Sequence, residues 1–146
     1  MTTILDEQDA LVQFFVDNKT SGCCLIGSIL LKEMVQHHAK ITLIEGWWYS
    51  ERFAGRHYWL EVEGFGCVDV GTVVLAKLFP ASPKTALSHE FPTGCIRIDN
   101  DTSEERDALV VMEGMFATYH SKGLAEVLKN APRFIRQFCA RRGLGA

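Results

Sequence analysis

The sequence predicts an α+β protein: a central helix packed on a small antiparallel sheet, with further helices towards the C-terminus. Three observations carry that prediction. Both ends of the chain show apolar residues at helical spacing, residues 24–37 are apolar around most of a helix circumference, and residues 41–74 are rich in β-branched and aromatic side chains.

Leu11, Phe14 and Phe15 stand at i, i+3, i+4 among polar neighbours, so residues 4–17 read as an amphipathic helix. A polar stretch, Asp17 to Gly22, separates it from the second helix. There Leu25, Ile26, Ile29, Leu30, Met34 and Val35 are apolar, while Ser28, Lys32 and Gln36 repeat every four residues on one narrow face. That distribution belongs to a largely buried helix beginning at the paired cysteines. ITLIEGWWY (41–49), HYWLEVE (57–63) and CVDVGTVV (67–74) read as three strands, the last two forming a hairpin around Gly64 and Gly66. Residues 77–93 hold three of the four prolines and read as a loop, after which GCIRID (94–99) adds a possible strand. Ser103 followed by Glu104 and Glu105 starts a helix running to about Tyr119, and another begins near Ser121. Asn130 and Pro132 interrupt that helix, and Phe134, Ile135, Phe138 and Cys139 form one face up to Gly143.

A chain of 146 residues with 47% hydrophobic content has enough apolar surface for one core, so residues 1–146 are expected to form a single domain. The formal charge of -3, with Lys and Arg clustered only near the end, argues against nucleic acid as a partner. Neither a signal peptide nor a membrane span is legible, which leads to the expectation of a cytoplasmic protein. Five cysteines, odd in number and without CxxC spacing, suit reduced thiols.

Chemistry concentrates at the head of the second helix. A thiol gains nucleophilicity when its thiolate is stabilised, and a helix N-terminus offers unpaired N–H groups and the positive end of a dipole. Cys23 and Cys24 occupy that end. An imidazole can take the thiol proton and a carboxylate can orient the imidazole. His57 and Asp69 are equidistant from residue 63, so a hairpin centred on Glu63 would place them opposite each other, given a bulge at Gly64 or Gly66.

Gly22-Cys23-Cys24 heading a helix, His57-Tyr58-Trp59 with Glu61-Val62 downstream, and Val68-Asp69 followed by Thr72 resemble, in order, the Gly-x-Cys, His-x-Trp and Asp…Thr signature of the transglutaminase-like proteins. These belong to the papain-like cysteine protease superfamily. The resemblance spans residues 21–72 and implies a core over about 21–100 with flanking helices. It implies that Cys24 is the nucleophile and Cys23 the variable middle residue, with His57 as general base and Asp69 as its orienting partner. Trp59 would line the site, and the Cys24 N–H would be one oxyanion donor. Two departures stand out: Val70-Gly71 follows Asp69 where relatives often have Pro, and the second oxyanion donor is not evident, with Gln13, Asn18 and Lys19 the candidates by proximity. The implied function is a cysteine-dependent amide hydrolase or acyl transferase acting on a peptide or protein amide, without a cofactor. The alternative is an inactive binding or structural module of the same fold.

Other readings attach to the same residues. Cysteines at the start of apolar helices commonly serve packing, and Cys67, Cys95 and Cys139 sit within apolar patterns that assign them to the core. Trp47 and Trp48 are consecutive on a strand, so one is expected to face a substrate cleft or solvent. Glu45 reads as a structural charge. Zinc would have to draw on Cys23, Cys24, His37, His38 and His57, whose adjacent pairs chelate poorly. The basic tail, Lys129, Arg133, Arg136, Arg141 and Arg142, reads as a solvated helix face.

Overall fold

The computed structural model describes residues 3–50, 53–78, 88–90 and 114–145, with backbone alone at 47–50, 53–55 and 88–90. The chain divides into two compact units, Met1–Asn100 and Asp101–Ala146. The first is α+β and contains all the candidate catalytic residues.

Helix α1, Ile4–Asp17, starts at a reciprocal cap in which the Thr3 hydroxyl accepts from the Asp6 N–H and the Asp6 carboxylate accepts from the Thr3 N–H. Its buried face is Gln8, Leu11, Val12 and Phe15. At its end the Asn18 amide donates to the Phe14 carbonyl, and Lys19 turns the chain with φ of 51°. Helix α2, Cys24–Val35, is buried from Cys24 through Leu31. Ser28, expected on a polar face, is fully buried, and its hydroxyl donates to the carbonyls of Cys24 (2.6 Å) and Tyr58 (3.3 Å). This polar side chain therefore ties α2 to the strand that carries His57.

Strands β1, Ile41–Ser50, and β2, Phe53–Val62, pair antiparallel along their whole length, with Gly46 opposite His57 and Ile44 opposite Trp59. β3, Gly66–Val68, pairs with the other edge of β2, and β4, Ser88–Glu90, with β1, giving the order β3-β2-β1-β4. β4 lies inside the segment read as a loop, and Cys67 of β3, expected in the core, is exposed. The strand expected over 94–99 and the helix start at Ser103 lie outside the described residues.

Two expectations about the hairpin are corrected. The strand read over 67–74 stops at Val68, and helix α3, Val70–Leu78, follows at once. Val68, Val70, Val73 and Val74 look like strand residues, but Asp69 caps a helix: its Oδ1 accepts from the Thr72 N–H at 3.0 Å, and its carbonyl accepts from the Val73 N–H. The buried environment of Val70 and Val74 tolerates β-branched residues in a helix that propensity alone disfavours. The second correction is to register. Leu60 pairs with Val68 and Val62 with Gly66, so the hairpin centres on Gly64, and His57 and Asp69 are not ladder partners. Gly64 adopts φ of 79° in a turn closed by the Phe65 N–H on the Val62 carbonyl, a conformation glycine supplies without strain.

In the second unit, residues 114–122 form α4, Leu124–Leu128 form α5 and Arg133–Arg142 form α6. Gly123, at φ of 84°, separates the first two, so the helix expected to start near Ser121 begins three residues later, at Leu124. Pro132 precedes α6, which buries Ile135, Phe138 and Cys139 and ends at left-handed Gly143, as expected. No helix among the described residues is long and apolar enough to cross a membrane.

Candidate active site

Three elements bring Cys24, His57 and Asp69 together. Cys24 is the first residue of α2, His57 lies in β2 with its backbone facing Gly46 of β1, and Asp69 is the cap of α3. The imidazole Nε2 lies 2.7 Å from Asp69 Oδ2; since a carboxylate only accepts, Nε2 carries the proton. The Cys24 thiol interacts with the same ring. All three groups are buried: Cys24 is 8% exposed, His57 1% and Asp69 8%.

Asp69 is fixed from both sides. Its Oδ1 takes the Thr72 N–H, and its Oδ2 takes the Thr72 hydroxyl at 2.8 Å as well as His57. Three donors and the head of a helix favour the ionised carboxylate. Burial disfavours a charged imidazole, but the hydrogen bonds and negative charges of Asp69 and Cys24 outweigh it and raise His57 to about 9. The ring thus interacts with both a carboxylate and a thiol.

The two cysteines differ. Cys23 is the residue before α2 and makes no capping hydrogen bond with its side chain. Burial first, then the neighbouring Cys24, pushes its thiol up to about 12, which keeps it protonated and inert. The Cys23 side chain does not cap α2, and the N–H groups at the start of its first turn have no intrahelical acceptor. Such N–H groups suit a developing oxyanion.

Glycine permits the close approach of α2 and α3. A Cβ on Gly71 would lie 2.7 Å from both Cα and Cβ of Cys24, and one on Gly27 would lie 2.9 Å from Val70 Cγ1. Two helix starts therefore meet at the thiol. The Val70-Gly71 pair, read from the sequence as a departure, is the feature that brings the Asp69 cap against Cys24.

The proposed lining residues are placed unequally. Trp59 is buried, 1% exposed, and its ring stacks beside His57 at 5.9 Å between centroids, so it braces the imidazole. Trp47 and Trp48 pair through their backbones with Arg56 and Gly55; their side chains lie outside those described. Glu45 accepts from the Tyr58 hydroxyl at 2.9 Å and from Arg56 at 2.6 Å. Of the oxyanion candidates, Gln13 donates to Asp17 and Asn18 to the Phe14 carbonyl, so both amides are engaged within or at the end of α1. His37 and His38 follow the far end of α2, about 20 Å of helix from Cys24, which separates the cysteines from that histidine pair. Among the described residues no three His, Cys, Asp or Glu side chains group to hold a metal ion.

Thr72 belongs to the signature read from the sequence, but its role as a donor to Asp69 follows only from the Asp-x-x-Thr capping spacing. Gly71 and Ser28 carry no sequence signal of their place in the site, because each depends on a contact with another element. Comparison of the chain with protein-family models, curated proteins and solved structures found no match to any of them.

Proposed function

We propose that the protein is a cysteine-dependent amide hydrolase or acyl transferase working on a papain-like, transglutaminase-like core, with Cys24 as nucleophile, His57 as acid and base, and Asp69 as the group that orients the imidazole. The observation that carries this reading is the buried imidazole that bonds Asp69 at 2.7 Å and interacts with the Cys24 thiol at the head of a helix.

In the proposed reaction the Cys24 sulfur attacks the carbonyl carbon of a peptide or protein amide, and its proton passes to His57. The oxyanion is met by the Cys24 N–H and its first-turn neighbours. The C–N bond breaks as His57 protonates the leaving amine, giving a thioester on Cys24. Water, or an acceptor amine, then attacks the thioester with His57 as base, and the thiol is restored. Asp69 stays ionised and holds the ring in the tautomer that presents Nδ1 to sulfur.

Acyl-enzyme trapping tests this. With a 4-nitrophenyl ester of a short N-acylated peptide, the account expects a burst of one nitrophenolate per chain and an acid-stable thioester mapped to Cys24, both absent from Cys24→Ala. A protein that shows neither is not a thiol acyl-transfer enzyme. A second reading, an inactive binding or structural module, is favoured by the burial of all three groups. It expects no burst at any ester concentration.

A further inference from the structure

We infer that the first turn of α3 is a clamp that sets the catalytic geometry from both ends, with Thr72 as the positioning residue for Asp69 and Gly71 as the positioning residue for Cys24. The inference rests on the proposed thiol chemistry for its consequences, but its geometry is independent of it.

Thr72 addresses both oxygens of one carboxylate. Its N–H binds Oδ1 at 3.0 Å and its hydroxyl binds Oδ2 at 2.8 Å, the oxygen that also faces His57. The hydroxyl oxygen is 3.4 Å from His57 Nε2. As Nε2 carries a proton, the hydroxyl hydrogen is directed to Oδ2, and the carboxylate plane is fixed relative to the imidazole. A cap needs only one such bond. The second one stiffens the carboxylate where it meets the ring, and a valine in place of Thr72 would remove it without changing the side chain's shape.

One residue earlier, Gly71 meets the backbone of the nucleophile. An added methyl would overlap Cys24 Cα and Cβ at 2.7 Å. Neither atom belongs to a flexible side-chain end, so the two helix starts would have to separate and the thiol would move with respect to His57. Thus four consecutive residues, Asp69 to Thr72, hold the orienting carboxylate and gauge the distance to the sulfur.

Two measurements on the full chain test the clamp: the titration of His57 by NMR of imidazole nitrogens, and iodoacetamide labelling of Cys24 at pH 6 followed by peptide mapping, with exposed Cys67 as internal reference. Thr72→Val is expected to lower the His57 midpoint by about one unit and to slow Cys24 labelling about tenfold. Thr72→Ser, which keeps the hydroxyl, returns both to near wild-type values. Gly71→Ala slows Cys24 labelling at least tenfold while Cys67 labels as before. An unchanged midpoint in Thr72→Val, or a Thr72→Ser no different from it, overturns the clamp. If Gly71→Ala does not fold, as exposure of Cys23 and Cys139 to label would show, the two Thr72 variants decide. Wild-type Cys24 labelling no faster than Cys67 would defeat the thiol chemistry alone; the His57 midpoints would still judge the clamp.

Discussion

Strand β2 carries a carboxylate-centred network on each of its faces. On one, Asp69 accepts from His57 and Thr72; on the other, Glu45 accepts from Tyr58 and Arg56. Both networks are at least partly buried, and each contains a carboxylate that accepts from two residues. The difference lies in what the donors can do near neutral pH. Burial and the contact with Glu45 push the Tyr58 phenol far above its ordinary value, and a guanidinium does not release its proton. His57, in contrast, is raised only to about 9 and reaches a thiol. Geometry alone would not separate the two clusters; the proton affinity of the middle group does.

The contrast can be broken most sharply at the thiol relay. Cys24→Ala and His57→Ala should each lower acyl transfer to the 4-nitrophenyl ester at least about 1,000-fold, while unfolding stays cooperative. The next largest effect is on stability. His57 gains proton affinity on folding, from 6.5 to about 9, so its contribution is complete below about pH 6.5 and disappears as pH rises through about 9. Urea unfolding at pH 6 and pH 10 should differ by up to about 3 kcal/mol from this group, and the difference should shrink in His57→Gln. Asp69→Asn keeps the shape but allows the wrong tautomer, and should reduce turnover by less than loss of Cys24 or His57 does, with a fall in the His57 midpoint. The smallest functional effect belongs to the opposite face: Glu45→Gln should cost about 1–2 kcal/mol of stability and leave ester turnover within about threefold. A large activity loss there would erase the distinction between the two networks.

Much of this was legible in the residues because it depends on local spacing. α1 and the start of α2 follow from apolar positions three and four apart, and His57 and Trp59 share a face through strand alternation. The order of Cys24, His57 and Asp69 is legible in the sequence, but the register that joins His57 to Asp69 is not. Their contact does not come from a hairpin ladder centred on Glu63. It comes from a turn centred on Gly64 and a helix cap that carries Asp69 past the end of β3. In valine-rich CVDVGTVV the Asp-x-x-Thr cap and the burial of Val70 and Val74 outweigh strand propensity. Gly71 and Ser28 act through contacts with residues 47 and 30 positions away, Cys24 and Tyr58, and such contacts leave no periodic trace.

The central claim is that Cys24 and His57 share a proton, and the pH dependence of Cys24 alkylation measures it most directly. Site-resolved iodoacetamide labelling of the wild type should show Cys24 reacting well ahead of exposed Cys67 at pH 6, with that advantage lost in His57→Ala. Equal rates at the two thiols, indifferent to His57, would contradict the account.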